Sequence, residues 1–231
     1  MVGAEARREE LKAVWQECQG CVSCPQLAAT RTKVVFGAGH ADADLMFVGE
    51  APGANEDKQG LPFVGQAGRL LETLLGEIGL ARGDVFIANA LKCRPPGNRD
   101  PLPLEIQNCQ GYLMRQLELI APRVVCTLGN FSTKLLRGDP ATGITRLHGR
   151  EEVRTIGPRT VRLYPLFHPA AALYTPAMLE ILRTDFARIP ELLALPALDQ
   201  PAPAVVAVPA AEIAEPEPDP EPDPEAQLGL F

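Results

Sequence analysis

Five cysteines carry the most distinctive spacing in this 231-residue chain. Cys18, Cys21 and Cys24 repeat at CxxC intervals in CQGCVSCP, while Cys93 (in LKCRPP) and Cys109 stand far downstream. CxxC spacing lets two thiolates reach one metal from a single turn, so the five offer four ligands with one to spare. A four-cysteine zinc site and an iron–sulfur centre both suit thiolate chemistry, and spacing alone does not choose between them. Free thiols are the plain alternative. Cys126, inside the apolar run RVVCTLG, reads as a small buried hydrophobe.

Three further segments have residue types suited to chemistry. GEAPGANEDKQGLPFVG is rich in Gly and Pro, so its backbone can approach a ligand closely, and it carries Glu50, Glu56, Asp57 and Phe63. DVFIANA ends in Asn89–Ala90, and the Asn89 amide pairs a donor with an acceptor, enough to read the edge of an amide-containing ring. His168 follows an apolar run directly, and Pro169 behind it favours an extended backbone that would aim the imidazole off a strand end. His40 and His148 lack such a setting and read as surface or structural.

The elements that position these residues alternate. Residues 4–17 have helical periodicity, with Leu11, Val14 and Trp15 on one side. Strands are expected at 33–36, 44–50, 84–90, 123–129 and 161–167, and helices at 68–80, 103–120 and 176–192. The last two strand runs are continuously apolar, as in strands buried on both faces. Such alternation predicts a three-layer α/β/α fold around a central, mainly parallel sheet of four to five strands. Ligands of such sheets bind beyond the carboxyl ends of the strands, where the unusual loops fall.

Net charge is −7, from 29 acidic against 22 basic residues. Eight of the acids lie from residue 196 onward, where no Lys or Arg occurs, so residues 1–195 carry +1. Seven basic residues against three acids between Phe131 and Pro165 make a stretch suited to phosphates. Residues 1–195 therefore read as the folded domain. Residues 196–231, with nine of the 23 prolines, read as a disordered linker ending in QLGLF. No export signal or membrane span is apparent, which points to a cytoplasmic protein, and no dimer seam is apparent, which points to a monomer.

GEAPGANEDKQGLPFVGQAG, NALKCRPPGNR, the upstream CxxCPxL and HPAAAL together resemble the family 4 uracil-DNA glycosylases, the iron–sulfur branch of that superfamily. The resemblance covers roughly residues 11–192. It implies a [4Fe-4S] cluster on Cys21, Cys24, Cys93 and Cys109, with Cys18 a departure from the family pattern. It further implies hydrolysis of the bond between uracil and deoxyribose in single- or double-stranded DNA, initiating base excision repair in a bacterial, nucleoid-associated setting. Phe63 would then stack on the flipped base, Asn89 read its edge, and His168 donate to uracil O2. Gly49 and Ala51 would line the base site, Ala51 standing where other branches keep an Asp. Glu50 and Glu56 would act on the sugar side or crowd the C5 edge. Leu173 or Tyr174 would fill the gap left by the flipped base, core packing being the alternative. QLGLF resembles a sliding-clamp-binding peptide, engaging through Gln227, Leu228, Leu230 and Phe231. A non-catalytic DNA-binding iron–sulfur module and a glycosylase for other deaminated bases are the competing expectations.

Overall fold

The computed structural model describes residues 4–201. In chain order the elements are α1 (Ala4–Gln19), α2 (Pro25–Thr30), β1 (Ala38–Gly39), β2 (Leu45–Gly49), α3 (Ala54–Gln59), α4 (Gln66–Glu77), β3 (Phe86–Asn89), α5 (Pro103–Ile120), β4 (Val124–Leu128), α6 (Asn130–Arg137), α7 (Ile144–Leu147), β5 (Glu152–Ile156), β6 (Arg159–Leu166), α8 (Pro169–Ala172), α9 (Pro176–Ala187) and α10 (Ile189–Ala194). The strands form one sheet in the order β1-β3-β2-β4-β6-β5. Its four central strands are parallel, and β1 and β5 add antiparallel edges.

Alternate residues of the central strands feed two apolar layers, as strand geometry requires. Met46, Val48, Phe86, Val125 and Leu163 face α1 and α5, whereas Leu45, Phe47, Ile87, Cys126 and Tyr164 face α4 and α9. Cys126 is fully buried in the second layer, the place expected for a small hydrophobe. Burial alone pushes its thiol far above the ordinary range. Helix α5 starts with Pro103 in its first turn, and the Glu105 carboxylate accepts the Leu102 amide at 2.9 Å, filling an otherwise orphaned donor.

Several expectations need correction. The sheet has six strands rather than four or five, because β1 is only two residues long and β5 is a charged edge strand hidden in the basic stretch. Residues 33–36 form no strand. Val34, Val35 and Phe36 are buried, but among the described residues only the Val35 amide of this segment bonds a distant backbone group, the Lys92 carbonyl at 2.8 Å. The expected helix at 176–192 is two helices broken around Arg188, where Pro190 lacks the amide needed to continue the first. On α1, Trp15 is 48% exposed and Cys18 takes its place in the buried stripe with Leu11 and Val14, since positions 11, 14 and 18 share one helical face.

The basic stretch is also not one open phosphate face. Arg137 is paired with Asp139 and Glu152, Arg154 with Glu152, and Arg162 is buried with an Nη donating to the Pro196 carbonyl. Residues 196–200, read as the start of a linker, are fastened to the sheet. Gln200 exchanges two hydrogen bonds with the Thr160 backbone, and Arg123 donates to the Leu195 carbonyl. QLGLF, with Gln227, Leu228, Leu230 and Phe231, lies outside the described residues.

Candidate active site

The carboxyl ends of β2, β3 and β6 meet a cleft of ≈ 540 Å³. Glu50, Ala51, Glu56, Phe63, Asn89 and His168 all line it. Residues from three motifs spread over more than 100 positions are thus brought to one sheet edge.

Gly49 makes the floor. A Cβ there would lie 2.3 Å from Asn89 Oδ1 and 2.8 Å from Phe63 Cζ, so only glycine lets those two groups close over the strand end. Phe63 has φ of +50°, a left-handed backbone that costs a non-glycine residue energy unless its surroundings hold it. Three neighbours hold it. The Glu56 carboxylate accepts the Val64 and Gly65 amides at 2.9 and 2.8 Å. The Arg82 guanidinium donates to the Phe63 carbonyl at 2.9 Å and also to that of Pro62. Gly68 makes room for the Phe63 carbonyl, which would lie 1.8 Å from any Cβ at that position. The Phe63 ring stacks beside the His168 imidazole with centroids 5.6 Å apart.

Asn89 is 2% exposed, and its Oδ1 is buried with no hydrogen-bond partner among the described residues. An unpaired buried acceptor costs about 1–3 kcal/mol, a cost that a ligand donor relieves. His168 Nδ1 accepts the Ala170 amide at 3.1 Å, which assigns the proton of the neutral ring to Nε2. Burial lowers the His168 pKa, against a weaker opposite pull from Glu56, so the ring is held neutral. The Glu50 pKa is raised by burial and by the Asp100 charge. The cleft therefore offers an aromatic face, an acceptor without a partner, a neutral N–H donor and one carboxylate reluctant to ionise. Glu56 is different in kind, since one of its oxygens is committed to the Phe63 loop. Arg99 also lines the cleft, held by a two-point bond to Glu105 at 2.6 and 2.9 Å.

The cysteines sit behind this edge. Cys18, Cys21, Cys24, Cys93 and Cys109 line one small cavity with Arg31, Lys92, Asn108 and Tyr112. Among the described residues, no three Cys, His, Asp or Glu side chains stand in an arrangement that would grip a metal ion. Four sulfurs nonetheless meet donors or hydroxyls. Cys93 faces Arg31 Nη1 at 3.2 Å, Cys109 the Lys92 amide at 3.2 Å, Cys24 Asn108 Nδ2 at 3.6 Å, and Cys21 the Ser23 hydroxyl at 3.5 Å. Cys18 has no hydrogen-bonded neighbour of this kind among the described residues, and burial pushes its thiol to about 12. For Cys21, burial pushes the pKa up, but hydrogen bonds from Ser23 and Tyr112 and the Arg31 charge prevail and the net shift is downward.

Sequence reasoning missed Arg82 and Gly68 as supports of the cleft, and Lys92, which with Arg94 and Arg99 flanks Cys93 and from the sequence suits a DNA-contacting loop, is instead buried. Gly68 in the first turn of a helix was the one visible signal. Of the two alternatives near the rim, Tyr174 is 83% exposed with its hydroxyl 3.4 Å from Gln66 Oε1, and Leu173 is half-buried, so core packing does not account for Tyr174. His148 pairs with Asp185 at 2.8 Å, a structural contact away from the cleft lining.

A model of the uracil DNA glycosylase superfamily matches residues 36–191. The chain is 45% identical over 192 residues to a type-4 uracil-DNA glycosylase of Sulfurisphaera tokodaii, covering 81% of this chain and 87% of that protein. It is 46% identical over 188 residues to one from Archaeoglobus fulgidus, covering 80% and 94%. A type-5 uracil-DNA glycosylase of Pyrobaculum aerophilum is 33% identical over 181 residues, covering 65% and 78%. The chain belongs to the uracil-DNA glycosylase superfamily and, within it, to the type-4 uracil-DNA glycosylases.

Proposed function

We propose that this chain flips uracil out of DNA and hydrolyses its N-glycosidic bond, leaving an abasic site for base excision repair. The observation that carries the reading is the buried, unpartnered Asn89 Oδ1 between Phe63 and Gly49. Uracil N3–H is the donor this acceptor lacks, while Asn89 Nδ2 donates to O4. Cytosine has an acceptor at N3 and a donor at C4, so it would leave both Asn89 groups opposed by like partners, and such buried mismatches discriminate strongly.

A base stacked in a duplex hides its glycosidic bond, so extrusion precedes chemistry. Phe63 then supplies the stacking face. His168 Nε2–H donates to O2, where negative charge grows as the C1′–N1 bond lengthens, and the neutral ring does so without surrendering its proton. The Glu50 carboxylate, on the sugar side, stabilises the cationic sugar and orients the water that adds to C1′. Gly49 and Ala51 shape the floor, and Glu56 positions Phe63 through its loop. Tyr174 at the rim meets the DNA beside the extruded nucleotide. Release of uracil from single-stranded, U·A and U·G oligonucleotides by the purified chain tests the reading; intact strands in all three would refute it.

Cys21, Cys24, Cys93 and Cys109 fit a [4Fe-4S] centre, because donors converge on their sulfurs as thiolate ligands require, and Cys18 is the spare. These four residues would hold such a centre, which would supply a structural cross-link between the amino-terminal CxxC and the Cys93 loop. Among the described residues no helix is long and apolar enough to cross a membrane, and the chain acts as a monomer on nucleoid DNA in the cytoplasm. The QLGLF segment binds the sliding clamp, Gln227 at the pocket rim and Leu228, Leu230 and Phe231 in apolar pockets; clamp binding unchanged by deleting it would refute that role.

A further inference from the structure

Lys92 is 1% exposed, an unusual place for an ammonium group. Its Nζ donates to the Asn89 backbone carbonyl at 2.8 Å and to Gln116 Oε1 at 2.6 Å, and lies over the Phe36 ring at 5.8 Å. Gln116, itself fully buried, donates onward to the Phe36 carbonyl at 2.9 Å. No carboxylate pairs with the ammonium among the described residues. The sulfur of Cys109, one of the four ligands named above, accepts the Lys92 amide at 3.2 Å, and Lys92 lines the cysteine cavity. One residue thus touches the strand end that bears Asn89 and the wall of the cysteine cavity.

We infer that Lys92 is a positioning residue that couples the two sites: its charge balances the thiolate-bound centre, and its Nζ bond fixes the Asn89 backbone in the register that reads uracil. The inference rests on the function proposed above. A buried charge left without a counter-charge is costly, so an emptied cysteine cavity should slacken the hold on Asn89. The chain of contacts is short, running from sulfur through the Lys92 backbone and side chain to the Asn89 carbonyl.

The test uses the full chain as wild type, Lys92→Met, which keeps length and removes charge, and Gln116→Glu, which gives the ammonium a rival carboxylate but leaves its Asn89 bond. Two quantities are read. One is the ratio of affinities for a duplex carrying a non-hydrolysable 2′-fluoro-deoxyuridine and the same duplex with cytosine. The other is the rate at which visible absorbance bleaches under an iron chelator. Lys92→Met should lower the affinity ratio about tenfold and speed bleaching by a similar factor, the scale of one charge-assisted hydrogen bond. Gln116→Glu should speed bleaching yet keep the affinity ratio within about twofold. Wild-type values for Lys92→Met in either measurement overturn the coupling. If Lys92→Met does not fold, unchanged bleaching in Gln116→Glu overturns it instead. A wild-type chain without iron absorbance or uracil release would sink the underlying function, a result distinct from either outcome.

Discussion

The base cleft and the cysteine cavity lie back to back across one strand end, and they are built on opposite plans. In the cleft, the groups that would meet a ligand are left wanting: among the described residues Asn89 Oδ1 has no partner and His168 Nε2–H no hydrogen-bond acceptor, while their supports are heavily bonded. In the cavity the groups that would meet a metal are themselves attended, four of five sulfurs facing a donor or hydroxyl. A site that must discriminate in a transition state keeps its hydrogen-bonding capacity in reserve. A site that must hold a permanent ligand neutralises its anions in advance. Substitutions that treat the two alike should therefore give different signatures.

The largest effect is expected in the cleft. His168→Ala should lower kcat about 10²–10³-fold, the usual cost of one preorganised donor, with little change in Tm. Its pH profile follows from the lowered pKa. Burial makes the ring harder to protonate than a free imidazole, so wild-type activity should persist to lower pH than an ordinary histidine titration would allow. Stability should behave differently, because below 6.5 the unfolded chain takes up the proton before the folded one and the His168 contribution is progressively lost. A rate falling in step with an ordinary histidine titration would contradict this account.

In the cavity the contrast lies between cysteines. Cys21→Ser should remove the visible absorbance and lower Tm by several degrees. Cys18→Ala should retain both, since its sulfur is a buried packing atom with a thiol held near 12. Equal iron loss in the two variants would make Cys18 a ligand and reverse the assignment of the spare.

Phe63 tests whether the cleft is as rigid as its supports suggest. Phe63→Ala should cost about 1–3 kcal/mol of binding to uracil-containing strands, through loss of base stacking. Arg82→Ala leaves the ring in place but frees two carbonyls from the guanidinium. It should raise KM more than it lowers kcat, and by less than Phe63→Ala does. An Arg82→Ala enzyme indistinguishable from wild type would mean that Glu56 and Gly68 alone hold the left-handed turn.

What was legible in the sequence divides along the same line. The four central strands and α5 could be read because continuous apolar runs and Pro103 announce themselves, and Phe63, Asn89 and His168 because their types and settings suit chemistry. β5 was not legible. As an edge strand it mixes charged and apolar residues, and its one arginine, Arg154, falls in a stretch that reads as a phosphate surface, whereas it pairs with Glu152 just as Arg137 of α6 pairs with Asp139 and Glu152. Trp15 was misplaced because hydrophobicity outweighed helical phase. Arg82 and Lys92 act through bonds to backbone carbonyls, which leave no residue pattern, so only the fold reveals them.

The smallest effect is the most diagnostic of a site built for function over stability. Glu50 has its pKa raised by burial and by Asp100, so the folded chain resists its ionisation. For a raised carboxyl, the stabilising contribution is complete below the unfolded value near 4.5 and is lost as pH rises through the folded value. Glu50→Gln should therefore raise Tm at pH 7 by about 1–3 °C, while leaving it unchanged near pH 4. The same substitution should lower kcat, because glutamine cannot carry the charge that faces the cationic sugar. Were Glu50 merely a structural residue of the loop, Tm would fall or hold at both pH values and kcat would follow it, so the opposite movement of the two quantities is the measurement that decides.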